Sequence, residues 1–256
     1  MNLTIVKVGG KIVEEPATLA ALIKDFARIE GPKLLVHGGG RSATRLAGQL
    51  GIEQKMVDGR RITDLETLRV VTMVYGGLVN KNIVTSLQAA GINAIGLTGA
   101  DMDIIRSHRR PAGEIDYGYV GDVDKVDAQA IARLIEAGLV PVIAPLSHDG
   151  KGSMLNTNAD TIASEVAQAL APLYDTTLTF CFEKAGVLAD ENDDNSVIEK
   201  IDRATYQQLR DQNIIAGGMI PKLDNAFKAL ESGVKEVIIT RADALAIPGR
   251  GTVICN

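Results

Sequence analysis

Tryptophan is absent from this chain of 256 residues, and aromatic residues make up only 4% of it. Few aromatic rings leave few platforms on which unpaired bases could stack. The formal net charge of -5 also lacks the positive excess of a nucleic-acid-binding surface. We therefore expect no nucleic-acid partner. The content of 46% hydrophobic and 23% charged residues is typical of a globular protein.

Long apolar runs are also missing from the sequence. No run approaches the roughly 20 residues that a membrane-spanning helix needs. A strand pattern begins within three residues of the N-terminus and leaves no room for a signal peptide. We expect a cytoplasmic protein that does not associate with membranes.

Cysteine and histidine are too scarce and too scattered for a disulfide framework or a structural zinc site. The two cysteines, Cys181 and Cys255, have no CxxC spacing, and Cys181 lies in an apolar run that predicts a buried core position. The acidic stretch 191–196 lacks the glycine and the distal glutamate of a calcium loop. We interpret it as a solvated hairpin tip and predict no metal site.

Short apolar strand patterns alternate with amphipathic helix patterns along the chain, which is typical of a mostly parallel sheet covered by helices on both faces. The predicted fold is therefore α/β, a three-layer αβα sandwich. Pro172 ends a helical pattern and is the best boundary between two lobes, 1–172 and 173–256. The predicted strands are 3–8, 33–36, 92–97, 139–144, 177–182 and 236–240.

Local signals also predict helix ends and a substrate lid. Pro16 is placed in a first helical turn, Asp127 precedes another helix, and Gly138 stops that helix. Between 104 and 125 the helical period disappears, and the alternation in 117–123 predicts an antiparallel ribbon. A ribbon inserted after the strands of an α/β sheet is a candidate lid over a substrate.

Two glycine turns follow short apolar strands, Gly9-Gly10 after Val8 and 38–40 after His37. Glycine has no Cβ, so backbone N–H groups in these turns can approach the oxygens of a ligand, and a helix start behind them adds a positive dipole end. The two turns together predict one phosphate-binding site. Either turn alone is equally consistent with a simple tight turn.

Two lysines are candidates for stabilising a transferred phosphoryl group. The chain has no GxxxxGK[ST] loop and no protein-kinase signature, so phosphoryl transfer would depend on other donors and cations. Lys7 interrupts an apolar strand, and Lys222 begins a helix, where the dipole disfavours a cation unless an anion binds. The alternatives are a lysine at a sheet edge and an exposed helical lysine. A carboxylate acceptor is already ionised at neutral pH and needs no general base.

Four motifs follow one another along the chain: KVGGK at 7–11, HGGG at 37–40, NTNAD at 156–160 and GGMIPK at 217–222, with further matches in DGRRIT at 58–63 and GLVNK at 77–81. With these motifs the chain resembles the amino-acid kinase family and, within it, the acylglutamate kinases. The resemblance implies the amino-acid kinase fold, with substrate binding and dimerisation in lobe 1–172 and ATP binding in lobe 173–256. It also implies ATP-dependent phosphorylation of the γ-carboxylate of an N-acylated L-glutamate in arginine biosynthesis. N-acetyl-L-glutamate is the usual substrate, and Mg²⁺ is expected to arrive on ATP.

The resemblance implies that Asp160 organises Lys7 and Lys222 as the two catalytic lysines. By its sequence position alone, Asp160 could instead cap its helix, and Asn158 is a second candidate for the cap. The sequence of the NTNAD cluster is consistent with either role.

The resemblance also assigns the binding residues. A guanidinium fork binds a carboxylate with two hydrogen bonds, and the register of the DGxR pattern favours Arg61 over Arg60. After the strand at 177–182, related enzymes commonly carry Thr/Ser-Asp-x-x-Gly, whereas this chain has FEKAG. The expected substrate residues are Gly39, Gly40, Arg61 and Asn156, and the expected phosphate or nucleotide residues are Gly9, Gly10, Glu183, Gly186, Gly218 and Met219.

The sequence is also consistent with other functions. N-succinyl-L-glutamate carries one more carboxylate, and Arg106, Arg109 and Arg110 lie in the ribbon region where a cation could bind it. Carbamate, aspartate, glutamate and uridylate kinases share the fold. A non-catalytic sensor would be expected to lose one of the three catalytic residues, which are all present. The pattern at 38–40 is not the GxGxxG of a dinucleotide-dependent oxidoreductase.

The short segment before the first motif bears on assembly and regulation. In this family, arginine-inhibited members carry an extra N-terminal helix that links dimers into a hexamer. Only six residues precede Lys7, fewer than the roughly 12 needed for a marginally stable helix. We therefore expect a homodimer whose activity is insensitive to arginine.

Overall fold

The computed structural model describes residues 1–57, 59–190, 192–217, 219–245, 247 and 249–255, without the side chain of residue 221. Three sheets contain the strands of this part of the chain. In chain order the strands are β1 (Asn2–Val8), β2 (Lys33–His37), β3 (Met56–Val57), β4 (Arg60–Arg61), β5 (Ala94–Leu97), β6 (Ile105–Arg109), β7 (Gly121–Val126), β8 (Val140–Ile143), β9 (Leu146–His148), β10 (Met154–Asn156), β11 (Asp175–Phe182), β12 (Lys200–Ile201), β13 (Glu236–Arg241) and β14 (Thr252–Ile254).

The central sheet has eight strands in the order β12-β14-β13-β11-β1-β2-β8-β5. β1 lies in its interior and pairs in parallel with β11 on one side and β2 on the other. β14 runs antiparallel to β13, so the strand direction reverses near one edge of the sheet. The predicted α/β fold with a mostly parallel sheet is confirmed. Because β11 follows Pro172 and pairs with β1, one sheet continues across the predicted lobe boundary, and the division into 1–172 and 173–256 stays a prediction.

Helices cover both faces of the central sheet, as expected for a three-layer sandwich. One buried core packs beneath α1 to α5 and a second packs beneath α6 to α9. A π-helix, Thr72–Val79, joins α4 to α5. The helices are α1 (Gly10–Glu14), α2 (Pro16–Ala27), α3 (Gly40–Gln49), α4 (Leu65–Val71), α5 (Asn80–Ala89), α6 (Ala128–Glu136), α7 (Ala159–Leu170), α8 (Arg203–Asp211) and α9 (Met219–Glu231).

Alternation along β1 decides which core each side chain enters. Leu3 and Ile5 are buried beneath α6 to α9, whereas Val6 and Val8 are buried beneath α1 to α5. Successive side chains of a strand point to opposite faces, so Lys7 shares the face of Ile5. The lysine is therefore directed toward the side of the sheet that α7 and α9 cover.

The predicted residues at the helix ends are confirmed. Pro16 is the first residue of α2, where its missing N–H leaves no donor unsatisfied. The Asp127 carboxylate caps α6 by accepting a 2.9 Å hydrogen bond from the N–H of Ala130. Gly138, just after the end of α6, has a φ of +77°, the left-handed conformation that glycine adopts without strain.

A second sheet, in the order β10-β9-β6-β7, stands beside the central one. β6 and β7 pair in antiparallel fashion across 105–109 and 121–126, so an antiparallel ribbon is present in this region. Of the predicted stretch 117–123 only 121–123 belongs to it, because Gly118 and Val120 form isolated parallel bridges to Thr63 and Asn156 instead. β9 and β10 extend this ribbon into a four-stranded sheet. A small hairpin of β3 and β4 places Arg60 and Arg61 near the same region.

Two expectations about structural residues are also confirmed. Cys181 is fully buried, and burial raises the pKa of its thiol to about 12. The acidic turn closes a hairpin through the pairing of Leu188 with Val197, and Asp193 accepts a hydrogen bond from the N–H of Asn195 at its tip. Glu191 of that turn lies outside the described residues. Among the residues described, no helix is both long and apolar enough to span a membrane.

Candidate active site

Four side chains meet at the carboxyl ends of β1 and β11. Lys7 Nζ lies 2.7 Å from Asp160 Oδ1, and the lysine is only 6% exposed. Lys222 Nζ lies 3.8 Å from the centroid of the Phe182 ring, and Lys7 Nζ lies 5.0 Å from the same centroid. The structure thus brings the predicted trio together and adds an aromatic ring to it.

Helix capping explains why the Asp160 carboxylate is available to Lys7. The Asn158 side chain accepts hydrogen bonds from the N–H groups of Asp160 and Thr161, at 2.8 and 3.1 Å. Asn158 is therefore the cap of α7, and the alternative of an Asp160 cap is wrong. Asp160 is the second residue of α7, so its side chain reaches the end of β1.

The cluster has more positive than negative charge. Burial lowers the pKa of Lys222, the Asp160 carboxylate partly opposes this effect, and the charge of Lys7 lowers the pKa further. Among the described residues, no carboxylate lies within 4 Å of Lys222 Nζ. The first turns of α7 and α9 add the positive ends of two helix dipoles. Such a site favours an anionic ligand.

The two glycine turns pack back to back beside this cluster. A Cβ on Gly38 would lie 2.8 Å from the backbone nitrogen of Gly10, and a Cβ on Gly10 would lie 3.0 Å from that of Gly39. A Cβ on Gly39 would also lie 2.8 Å from Tyr75 Cδ1. Glycine is needed at these positions because the backbones approach so closely. The two turns therefore lie against each other, and the single phosphate-binding site that they were predicted to form stays a prediction.

A neutral histidine holds the second turn from behind. His37 is fully buried, its Nδ1–H donates to the carbonyl oxygen of Gly38 at 2.8 Å, and its Nε2 accepts from Asn80 Nδ2 at 3.1 Å. Asn80 Nδ2 also donates to the carbonyl oxygen of Val142 at 2.9 Å. Burial lowers the pKa of His37 to about 4, so the ring is neutral at pH 7. Asn80 belongs to the GLVNK motif, whose sequence alone does not predict this contact.

A cavity of about 670 Å³ opens from the cluster toward the ribbon. All four predicted substrate residues line it, and so do two of the three predicted catalytic residues. They are Gly39, Gly40, Arg61 and Asn156, with Asp160 and Lys222.

Burial separates the two adjacent arginines. Arg61 is 8% exposed, whereas Arg60 is exposed, as the register of the motif requires. Arg61 Nη2 donates to the carbonyl oxygen of Gly40 and to Thr44 Oγ1, both at 2.9 Å, and its Nη1 donates to Gln54 Oε1. About two of the five guanidinium N–H groups are therefore left for a ligand. The contact of Arg61 with a substrate carboxylate stays a prediction.

Asn156 is also held in place by the protein. Its Nδ2 donates to Thr63 Oγ1 at 3.0 Å, and its backbone N–H donates to the carbonyl oxygen of Tyr119 at 2.9 Å. Both partners belong to segments that flank the cavity. The amide is thus oriented before a ligand binds.

Arg110 contributes a further positive charge to the cavity wall. Its Nη2 and Nε donate to Asp122 Oδ1 at 2.5 and 3.2 Å, and this contact raises the pKa of Arg110. Its Nη1 is buried and has no hydrogen-bond partner among the described residues. Arg106 and Arg109, the other two candidate cations of the ribbon region, do not line this cavity.

A second cavity, also of about 670 Å³, lies on the other side of the glycine turns. Gly9, Gly10 and Glu183 of the predicted phosphate or nucleotide residues line it, together with Phe182. Glu183 Oε2 forms a 2.6 Å ion pair with Lys11 Nζ. The two cavities share part of their walls.

The family model for the amino acid kinase family matches residues 2–241. This chain belongs to the amino acid kinase family. The resemblance that its motifs predicted is therefore confirmed.

Its relatives agree with this assignment. An acetylglutamate kinase of Phocaeicola vulgatus is 68% identical over 253 residues, which cover 99% of this chain and 98% of the relative. A solved structure of a Streptococcus mutans UA159 protein has a TM-score of 0.79 at 30% identity, with 98% of both chains covered. N-acetylglutamate synthase of Neisseria gonorrhoeae, complexed with coenzyme A and N-acetyl-glutamate, has a TM-score of 0.84 at 22% identity over 99% of this chain and 59% of that one. At this identity it supports the fold alone.

The remaining predicted nucleotide residues of this amino acid kinase are spread more widely. Gly186 is packed so that a Cβ would lie 2.7 Å from Thr252 Oγ1, and it lines neither of the two cavities. Met219 begins α9 and packs against the core. Gly218 lies outside the described residues. The structure therefore does not bring Gly186 or Met219 to either of these two cavities.

Proposed function

We propose that this chain transfers the γ-phosphoryl group of ATP to the γ-carboxylate of an N-acylated L-glutamate in arginine biosynthesis, with N-acetyl-L-glutamate as the substrate. The observation that carries the proposal is the cluster of Lys7, Asp160 and Lys222 at the mouth of a cavity lined by Arg61 and Asn156. The relatives at 65–68% identity, which are named acetylglutamate kinase, support the same reaction.

The chemistry that we propose for the cluster is electrostatic. In phosphoryl transfer the negative charge spreads over the three equatorial oxygens while the attacking and leaving oxygens lie roughly in line. Lys7 and Lys222 would neutralise that charge, and Asp160 would keep Lys7 in place. The backbone N–H groups of the glycine turns would bind the phosphates. The acceptor carboxylate is already ionised, so no side chain has to remove a proton.

We propose that Mg²⁺ reaches the site bound to the phosphates of ATP. Mg²⁺ keeps several of its waters and is commonly held by substrate phosphates with one or two carboxylates. No group of three or more His, Cys, Asp or Glu side chains among the described residues is placed to hold a metal ion. The ATP phosphates would therefore supply most of the Mg²⁺ ligands. The bound Mg²⁺ would neutralise part of the charge of these phosphates.

N-succinyl-L-glutamate is a second candidate substrate, and a specific observation favours it. Arg110 Nη1 is buried without a partner among the described residues, while the rest of the same guanidinium is bound to Asp122. A buried donor of this kind is costly to leave unpaired. The added carboxylate of a succinyl group would supply an acceptor.

An ATP-dependent hydroxamate assay distinguishes these proposals because it traps the acyl phosphate. We would compare L-glutamate with its N-acetyl and N-succinyl derivatives. Product from an N-acyl derivative but not from glutamate supports the proposed function, and no product from any of the three contradicts it. If succinyl is the substrate, Arg110→Met should raise its KM about tenfold or more. Arg109→Met is the matched control because Arg109 does not line the cavity.

We also propose that the enzyme is a cytoplasmic homodimer. Met73 and Leu78 of the π-helix are 54% and 52% exposed, an unusual setting for large apolar side chains on one short segment. A second copy packed on this segment would cover them. Sedimentation velocity of the wild type and of Leu78→Glu tests the dimer: a dimeric wild type that dissociates in the variant supports it, and a monomeric wild type contradicts it.

A further inference from the structure

The Phe182 ring contacts the charge cluster and has no part in the proposed mechanism. Lys222 Nζ lies over the ring at 3.8 Å from its centroid, and Lys7 Nζ lies over it at 5.0 Å. The face of an aromatic ring carries partial negative charge and attracts a cation within about 6 Å. One phenylalanine therefore interacts with both lysines.

The cluster needs such a contact because its formal charges do not balance. Two ammonium groups share one carboxylate, and Asp160 lies in ion-pair contact with Lys7. The charge of Lys7 acts unfavourably on the ammonium of Lys222, and burial removes part of its hydration. An aromatic face offsets these two effects without adding a negative charge that would repel an incoming phosphate.

The position of the ring is fixed by the fold. Phe182 is the last residue of β11, and its ring stacks on that of Phe180 with 6.1 Å between centroids and 6° between planes. Phe180 is 1% exposed and anchored in the core beneath α6 to α9. The ring is thus a rigid support, whereas each lysine side chain has four rotatable bonds.

We propose that Phe182 is a positioning residue of the phosphoryl-transfer reaction: the face of its ring holds the ammonium of Lys222 beside Lys7 until the phosphoryl group binds. This inference rests on the proposed kinase function. It differs from a stacking role, in which Phe182 would bind the nucleotide base, and from a purely structural role in the core.

Graded fluorination of this ring separates these roles. Fluorine withdraws charge from the aromatic face and changes the size of the ring little. Mono-, di- and trifluorophenylalanine at position 182 should therefore lower kcat stepwise, by about fivefold to tenfold for three fluorines. The KM for ATP should stay within about twofold. Phe182→Tyr should retain most of the activity, and Phe182→Leu should lose about tenfold in kcat.

Phe26 provides a matched control on the opposite face of the sheet. It is fully buried in α2, and Lys33 Nζ lies over its ring at 5.2 Å from the centroid. Trifluorophenylalanine at position 26 should leave kcat within about twofold. In a Lys222→Met background, fluorination at position 182 should also have a much smaller effect on kcat, because the principal cation is gone.

The outcomes distinguish this inference from the proposed function. If the wild type forms no acyl phosphate, the proposed function fails and the inference fails with it. If the wild type is active but kcat does not change across the fluorinated series, the positioning role of Phe182 alone is refuted. A series that raises the KM for ATP at constant kcat would also refute it and would indicate base stacking instead.

Discussion

The two faces of the central sheet differ in how they pair the buried polar groups at the carboxyl ends of β1 and β2. Beneath α7 and α9, Lys7, Asp160 and Lys222 form a cluster with two positive charges and one negative charge. Beneath α5, His37 is neutral and both of its ring nitrogens are hydrogen-bonded, one of them to Asn80. Lys7 and His37 lie on adjacent strands, β1 and β2, yet point to opposite faces.

The difference separates the parts of the site that act from the parts that support. Buried polar groups in native proteins are nearly always paired, so a fully bonded network such as that of His37 indicates scaffolding. A cluster that keeps surplus charge indicates a place where a ligand completes the pairing. Substitutions on the charged face should therefore change catalysis, and substitutions on the neutral face should change stability.

The largest expected effect is on the charged face. Lys222→Met should lower kcat by roughly 10²- to 10³-fold and leave the substrate KM within a few fold, because charge stabilisation of this kind acts mainly on the transition state. Lys7→Met should behave alike, and the double variant should be less than additive because both cations act on one phosphoryl group. Steady-state kinetics with the hydroxamate assay measures these values.

Lys228 is the matched control for this prediction. It lies on the same helix as Lys222, is exposed, and pairs with Glu165 at 3.1 Å. Lys228→Met should leave kcat unchanged. An unchanged kcat in Lys222→Met would remove that residue from the mechanism.

On the neutral face, Asn80→Ala should lower the free energy of unfolding by about 2–4 kcal/mol, because it leaves His37 Nε2 and the carbonyl oxygen of Val142 without a buried partner. Urea unfolding measures the change. Asn82→Ala on the exposed side of α5 is the control and should stay within about 0.5 kcal/mol. Equal effects of the two variants would mean that the network adds no stability.

The neutral face should also make stability depend on pH. Folding lowers the pKa of His37 from 6.5 to about 4, so between these values the unfolded chain binds more protons. The contribution of neutral His37 to the free energy of unfolding is fully present above about pH 6.5. It is lost as the pH falls through 4, up to about 3 kcal/mol in total. An NMR titration of the His37 ring checks the sign: protonation in the folded protein near pH 6.5 would contradict it.

A smaller effect on kinetics is expected from substitutions of Arg60 and Arg61, which both line the first cavity. Arg61→Lys keeps the charge but removes the fork, so the KM for the glutamyl substrate should rise about tenfold while the KM for ATP changes little. Arg60→Lys should have almost no effect, because Arg60 is exposed. If the two variants exchange behaviour, the assignment from the motif is off by one residue.

The sequence predicted the parts of this molecule that depend on local patterns. β1, β2 and β11 follow from apolar runs, and the joining of Lys7 with Asp160 followed from a family motif. β12 and β14 have only two and three residues, too few to show a strand period. Asn80 reaches His37 across 43 positions, and such a contact depends on tertiary packing. Phe182 departs from the family motif, but its contact with two lysines depends on the tertiary fold.

The π-helix between α4 and α5 sets the spacing of two side chains that serve the second glycine turn. Tyr75 approaches Gly39, and Asn80 binds His37 just before the same turn. Residues five apart lie roughly above one another when hydrogen bonds run from i to i+5, whereas in an α-helix they are rotated by about 140°. The i to i+5 hydrogen bonding of segment 72–79 therefore keeps Tyr75 and Asn80 on one side of the helix. Conversion of this segment to α-helical hydrogen bonding at the same length would turn Asn80 away from His37, even if every polar and apolar type around the site were kept.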